Sequence, residues 1–488
     1  PLAEIAEEEK PFGLPQGWEW VRALDICALI TDGDHQPPPK ADTGVPFLVI
    51  GDVRTGAVLL QGASRFVPDS YFDELDWGKK PFPGDVLYTT VGSFGIPVPV
   101  VQQQRFCFQR HIALLRPAVV DLQSYLALAL RTTLAFAQAE KGATGTAQKT
   151  VPLSVLRNLI LPLPPLAEQS RIVTRVEALM RLCDALEAKG QLEAAQHAQL
   201  VSTLLGTLTA STTPEELAAH WQRVAQHFDL LLDRPEAIDA LEQTLLQLAV
   251  RGLLVPQDPT DEPASALLQK IRAEKDRLIA TGQIKRDKPL PPITDEEKPF
   301  ELPVGWEWVR LGALIELVSG QHLGPSEYVD GLTASLPYLT GPAEFGTLSP
   351  EPTRSTYERR AVAVCDDILI TVKGSGVGKL NVVKHDEVAI SRQLMAIRPV
   401  LLNAEFLMIF LQTMAHYFQA KSIGIAIPGI GREDVTHAEF GLPPLAEQSR
   451  IVTRVTALRR LCTDLRQRLA ERQSVQARLA EALMAFVA

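Results

Sequence analysis

Hydrophobic positions along this chain change their period twice, in the same order each time. Short apolar runs at 46–50, 85–90 and 367–372 are bounded by Gly and Pro, the punctuation of β-strands. Longer stretches at 124–140 and 404–420 carry helical spacing, so 18–160 and 306–441 read as two mixed α/β domains. Behind each domain comes a proline pair, Pro164-Pro165 or Pro443-Pro444, at the place where a helix start tolerates proline. Apolar residues then recur at three and four: Ile172, Val176, Leu179, Leu182 or Cys183, and Leu186. Ile451, Val455, Leu458, Leu461 and Leu465 repeat that seam. Further helices are predicted over 214–232, 235–251 and 263–280.

The second pass is a copy of the first. Residues 163–183 (LPPLAEQSRIVTRVEALMRLC) return at 442–462 with nineteen of twenty-one positions identical; only Glu177/Thr456 and Met180/Arg459 differ. EEKPFGLPQGWEWVR at 8–22 returns as EEKPFELPVGWEWVR at 296–310. A spacing of about 280 residues makes each copy domain-sized, not a solenoid unit. Weaker markers survive inside the domains: GDVLYTTVGSFG (84–95) against DDILITVKGSGVG (366–378), and Arg110, Arg116 against Arg392, Arg398. The matching seams predict an antiparallel coiled coil between the two repeat helices, which gives the molecule a pseudo-twofold axis. Residues 1–17 match the end of the middle region 161–305, and 442–488 form the last conserved helix. The tryptophans at 18, 20, 306 and 308 are read as packing residues, because they recur at both domain entries.

A net charge of −10 argues at first against a nucleic-acid partner. Its distribution reverses that. Residues 161–305 hold fifteen basic and twenty-two acidic side chains, whereas 86–157 hold seven basic and two acidic. Five scattered cysteines without a CxxC pair read as reduced cytoplasmic thiols, with Cys183 and Cys462 as small core residues. No run of eighteen apolar residues appears, so no transmembrane helix is expected.

Catalytic motifs do not emerge. KGSGVGK at 373–379 imitates a phosphate loop but has Lys373 where Gly is needed and Leu380 where Ser or Thr is needed. Neither an NPPY-like tetrad for holding a flipped adenine nor HExxH or GxSxG is present. What remains is recognition. Gly-punctuated loops at 102–105, 109–111 and 141–149 are rich in Gln, Arg, Lys and Thr, whose side chains can read base edges and hold phosphates. Two such diverged domains on near-identical helices suit a reader of two half-sites. The exposed polar positions of the repeat, Glu168, Gln169, Arg171 and Arg175 with Glu447, Gln448, Arg450 and Arg454, are candidates for meeting two copies of one partner.

The doubled LPPLAEQSRIVTRV, the doubled LPxGWEWVR and the GDVLYTTVGS stretch together resemble the specificity subunits of type I restriction-modification systems. The opening at 30–53 (ITDGDHQPPP…GVPFLVIGDV) is similar to the start of the family's target-recognition domains, with a looser counterpart at 319–322 and 337–340. The resemblance implies a non-catalytic DNA-binding subunit in the bacterial or archaeal cytoplasm, acting in phage defence. It further implies that each recognition domain reads one half of a bipartite double-stranded DNA target while the helices fix the spacer. Two modification (methyltransferase) subunits would dock on the helices, with restriction (motor and nuclease) subunits joining them. S-adenosylmethionine, ATP and Mg would belong to those partners. His35, Gln109, Arg110, Lys141, Thr144, Thr146, Gln148 and Lys149 are the DNA-contact candidates of the first domain. His322, Lys373, Ser375, Lys379, Arg392, Ser422 and Arg432 are those of the second. Rival readings are a structural coiled-coil adaptor, a specificity subunit of a methylation-only or related defence system, and a self-contained modification enzyme.

Overall fold

The computed structural model describes all residues except 1–3, 34–37, 62, 146–147, 212, 287, 375, 423–427 and 488. Two compact units, 1–191 and 192–488, divide the chain.

Unit 1 opens with β1 (Glu19–Arg22), α1 (Ala23–Ile26), β2 (Cys27–Asp32), β3 (Val45–Leu48), β4 (Phe66–Val67) and α2 (Asp69–Glu74). It continues through β5 (Val86–Thr89), β6 (Pro97–Pro99), β7 (Cys107–Phe108) and β8 (Ile112–Pro117). Helices α3 (Gln123–Leu130), α4 (Thr133–Gly142) and α5 (Leu153–Arg157) follow, then β9 (Ile160–Leu163) and the long α6 (Leu166–Ala210), which runs on into unit 2. The helical stretch at 124–140 is therefore two helices, not one. Thr132 ends the first and caps the second, its Oγ1 accepting from Ala135 N at 3.3 Å.

Unit 2 adds α7 (Pro214–Gln226), α8 (Phe228–Leu231), α9 (Pro235–Val250) and α10 (Ala264–Ala280) before its own domain. Strands β10 (Glu307–Arg310), β11 (Ile315–Ser319), β12 (Tyr328–Asp330), β13 (Leu336–Leu339), β14 (Arg354–Thr356) and β15 (Val362–Val364) come next. Then β16 (Ile368–Thr371), β17 (Leu380–Val382), β18 (Glu387–Ile390) and β19 (Leu394–Pro399) lead into α11 (Ala404–Thr413), α12 (Ala415–Lys421) and α13 (Arg432–Thr436). Strand β20 (Glu439–Leu442) delivers the chain to α14 (Leu445–Val487).

The two domains share a frame but differ in their second sheet, which has three strands (β4-β3-β7) in unit 1 and five (β12-β14-β13-β18-β15) in unit 2. Sheet β2-β8-β5-β6 is antiparallel throughout, as is its counterpart β11-β19-β16-β17. A second sheet contains one parallel pair in each domain, β3 with β7 and β13 with β18. A two-stranded ribbon closes each domain: Trp20 lies opposite Pro162, and Trp308 opposite Gly441. The ribbon returns the chain beside its own entry, so the doubled entry and helix motifs meet at one end of each domain.

The repeat helices differ in what covers them. In unit 2, Ile451, Val455 and Cys462 of α14 are buried, and α9 is the helix packed along it. Helices α9 and α10 also contribute Leu246, Ala249, Leu267 and Ile271 to the core that holds Trp306, Phe406 and Phe440. The middle helices are thus part of the second domain's core. In unit 1 the same seam on α6 is half-buried at Ile172 and Val176 and open at Leu179, 46% exposed, and Leu186, 60% exposed, whereas their counterparts Leu458 and Leu465 are half-buried. Cys462 is the small core residue expected, packed where α9 lies along α14, but Cys183 is exposed. Among the described residues no helix is long and apolar enough to cross a membrane.

Candidate nucleic-acid interface

Each domain is tied at its entry by the residues of the doubled motifs. Arg22 Nη2 reaches Glu9 Oε2 at 3.2 Å, and Arg310 Nη2 reaches both oxygens of Glu297 at 2.8 Å. Phe12 stacks edge-on against Trp20 at 4.9 Å, as Phe300 tilts on Trp308 at 5.1 Å. Trp18 Nε1 donates to Glu168 Oε2 at 3.2 Å, and Trp306 Nε1 to Glu447 Oε2 at 2.8 Å. Gln169 and Gln448 each donate from Nε2 to the first proline carbonyl of the LPP turn, Pro164 or Pro443, at 2.7 and 3.0 Å. The doubled motifs weld the helix start to the domain entry.

This geometry corrects part of the docking expectation. Gln169, Glu447 and Gln448 are 3%, 1% and 0% exposed, so they hold the joint and do not face a partner. Burial pushes the Glu447 carboxyl up, against the pull of Trp306 and Gln257. Glu168 is half-buried on Trp18, and Arg450 is half-buried against Asp261 at 3.1 Å. Arg171, Arg175 and Arg454 do point outward.

At the other end of unit 1, several loops are stitched together by backbone bonds. Gln109 N donates to Leu48 O at 3.1 Å, Thr90 N to His111 O at 2.9 Å, and Gly92 N to Lys149 O at 3.0 Å. Thr144 and Thr150 exchange two bonds of 2.8 Å, closing the loop after α4. Gly33 is held there by necessity, since a Cβ would stand 2.1 Å from Phe108 O. Arg110, Lys141, Thr144, Gln148 and Lys149 are all exposed on this edge, with Gln109 half-buried among them. Lys149 is paired with Glu140 at 2.7 Å. His35 and Thr146 lie outside the described residues.

An open cleft of about 710 Å³ lies beside the β7–β8 turn. Gln109, Arg110 and His111 form one wall, and Lys40, Arg65 and Phe66 line it too. Partial burial, with Arg110 next to it, lowers the His111 pKa, which favours the neutral ring. Sequence reasoning missed Lys40 and Arg65. Both are exposed cations on segments joined by the Ala41–Phe66 bridge, and they line the same cleft as Arg110.

Unit 2 repeats the edge with different side chains. Ser391 N donates to Leu339 O at 2.9 Å, Val372 N to Gln393 O at 2.8 Å, and Gly374 N to Pro428 O at 2.8 Å. A Cβ on Gly320 would lie 2.0 Å from Ser391 O, the counterpart of the Gly33 approach. His322, Lys373, Lys379 and Arg392 are exposed here, together with Gln393, which was not anticipated. Ser375 lies outside the described residues. Two candidates are corrected. Arg432 turns inward, donating from Nη1 to Leu317 O and to Ser319 Oγ at 3.3 Å, so it fastens α13 to β11. Ser422 is half-buried beyond the end of α12 with its hydroxyl oxygen enclosed, so it is not displayed for contact.

The arrangement is one scaffold carrying two different sets of edge side chains. The family described as type I restriction modification DNA specificity domain matches this chain twice, at 15–196 and 303–472, one match for each domain with its helix. The chain belongs to this family. It is 34% identical to the type I restriction enzyme EcoEI specificity subunit of Escherichia coli, over 99% of this chain and 84% of that protein. The EcoAI specificity subunit, also of Escherichia coli, is 34% identical over the same shares. Among solved structures, a chain from work on complex assembly and conformational transition of the type I R-M system aligns at a TM-score of 0.57. That alignment covers 97% of this chain and 98% of the other at 22% identity, a likeness of fold.

Proposed function

We propose that this chain is the sequence-specific DNA-recognition subunit of a type I restriction-modification complex. One observation carries the reading within the family: the two domains keep the same four-stranded sheet order and the same loop-to-loop backbone bonds, yet present Arg110 between half-buried Gln109 and His111 in one and exposed Arg392 and Gln393 after buried Ser391 in the other. A conserved frame with divergent edge side chains is what reading two unlike half-sites requires, since backbone contacts position a protein on DNA and side chains at base edges specify it. Arg110, Lys141, Gln148 and Lys149 would face the first half-site, and Lys373, Lys379 and Arg392 the second. Lys40 and Arg65 join the first set through the cleft.

Catalysis belongs, in this reading, to partners: two modification subunits that methylate adenine with S-adenosylmethionine, and restriction subunits that use ATP and Mg. Arg171, Arg175 and Arg454 are the docking candidates that remain on the helix surfaces. The place of action is the bacterial or archaeal cytoplasm.

The test is a methylome comparison of a host with and without this gene, together with a footprint of the chain assembled with its modification partner. A bipartite methylated site that disappears with the gene supports the reading. Equal binding of that assembly to random duplexes at physiological salt would sink it.

A further inference from the structure

The second sheets of the two domains can be matched residue by residue through their pairing. Ala41 pairs with Phe66 as Val329 pairs with Ser355, and Pro46 lies opposite Phe66 as Pro337 lies opposite Ser355. Arg65 therefore holds the position of Arg354, Lys40 that of Tyr328, and Asp42 that of Asp330. In unit 2 this wall is neutralised from within. Arg354 Nε donates to Asp330 Oδ1 at 3.0 Å, and its guanidinium lies 5.1 Å over the Tyr328 ring. Tyr328 in turn tilts on Tyr338 at 5.7 Å, and Glu327, which stands where unit 1 has Pro39, is paired with Arg360.

In unit 1 the same wall is charged and open. Lys40, Arg65, Arg110 and one carboxylate, Asp42, line the cleft of about 710 Å³. Among the described residues, neither Lys40 nor Arg65 makes an ion pair or a side-chain hydrogen bond, with Asp42 or with any other group. Both are exposed, whereas Arg354 is half-buried. Unpaired cations suit a polyanion, because neutralising a phosphate with them releases counterions and breaks no internal ion pair. A phosphate brought to Arg354 would have to displace Asp330 and meet its charge. We propose that Lys40 and Arg65 clamp the DNA backbone at the first half-site, one phosphate each, and that the second domain has no such clamp. Lys373, Lys379 and Arg392 remain exposed in the second domain, so the difference is confined to this wall. One frame position thus serves as a phosphate anchor in one domain and as an internal brace in the other. The inference rests on the DNA-recognition reading and adds which half-site carries the extra salt-dependent grip.

The test is the salt dependence of binding by the chain assembled with its modification partner. Two probes are used, a duplex carrying the site methylated in the host and a random duplex of equal length. On the first, Lys40→Gln and Arg65→Gln are each expected to flatten the slope of log affinity against log salt by about 1, and the double variant by about 2. The bases methylated should stay the same, since phosphate contacts position a protein without specifying sequence. Arg354→Gln should leave the slope unmoved. Tyr328→Lys with Asp330→Asn rebuilds the open wall in the second domain and should steepen the slope by about 2. A slope unmoved by the double variant or by the rebuilt wall overturns the proposal. So does a loss from Arg354→Gln equal to that from Arg65→Gln, or a change in the bases methylated by the double variant. Equal affinity of the parent assembly for the two duplexes would instead sink the DNA-recognition reading, and the variant slopes would still report on the clamp.

Discussion

Arg116 grips Asp85 with two parallel hydrogen bonds of 2.8 Å, Nε to Oδ1 and Nη2 to Oδ2. Asp85 is 2% exposed and also accepts from Phe82 N at 2.8 Å, while the guanidinium lies 4.1 Å over the Trp77 ring. The second domain rebuilds the pair as Arg398 on Asp367, at 2.9 and 2.8 Å. The pair fixes β5 to β8, and β16 to β19, at the end of each ladder opposite the turn that carries Arg110 or Arg392.

Arg116→Leu is expected to leave a buried carboxylate without its partner and to cost about 3–5 kcal/mol. Denaturant unfolding followed by the intrinsic fluorescence of the tryptophans in both units should show the loss in the unit 1 transition, with the transition of unit 2 unmoved. A midpoint unchanged within error would contradict the assigned role.

Arg110→Ala and Arg392→Ala should act on DNA and not on folding, since both side chains are exposed at turn tips. Each is expected to weaken target methylation by the assembled complex by about 1–3 kcal/mol, with relaxed sequence choice confined to one half-site. Loss of specificity at both halves from either substitution alone would count against one domain reading one half.

Trp306→Phe removes the indole donor from Glu447, which is 1% exposed, while keeping most of the ring's packing. The expected loss is about 1–3 kcal/mol, the cost of a buried acceptor left short of a donor. Trp18→Phe should cost less, because Glu168 is half-buried and can turn to water. Paired thermal melts of the two variants check the order.

Glu297 gives the chain a pH signature. Its hydrogen bonds from Arg310 and from the Thr294 backbone hold the carboxyl down at about 2, below the usual 4.5. A depressed carboxylate stabilises the fold above its unfolded value, and that contribution is lost as pH falls from about 4.5 toward 2. Glu297→Gln should therefore lower the melting temperature at neutral pH, with the gap to the parent closing through that window. A gap independent of pH would show that the ion pair does not supply the difference.

Arg459→Met makes α14 match α6 at the repeat position where the first copy has Met180. It removes the contacts with Glu242 and Gln412, and the half-exposed setting limits the expected cost to about 0.5–1 kcal/mol. Chemical denaturation of unit 2 is the measurement.

The doubling, the strand-then-helix order of each domain and the family were all legible in the chain, because periodicity and repeated motifs are local properties of sequence. Strands predicted at 85–90 and 367–372 stand as Val86–Thr89 and Ile368–Thr371. The seam residues of the two helices could likewise be read. What covers a seam could not. Ile172 and Ile451 sit in identical surroundings along the chain, yet one is half-buried and the other is 0% exposed, in a core to which both α9 and α11 contribute. In the same way, polar letters at Gln169 and Arg432 read as surface contacts, but the first is turned inward by a bond to Pro164 O, five residues away, and the second by a bond to Leu317 O, 115 residues away. Lys40 and Arg65 were invisible as partners of Arg110 for the converse reason. The sequence by itself determined that one frame is used twice with different loops; the tertiary structure decided which polar residues hold that frame and which are left facing outward, since burial depends on what the rest of the chain packs against each face.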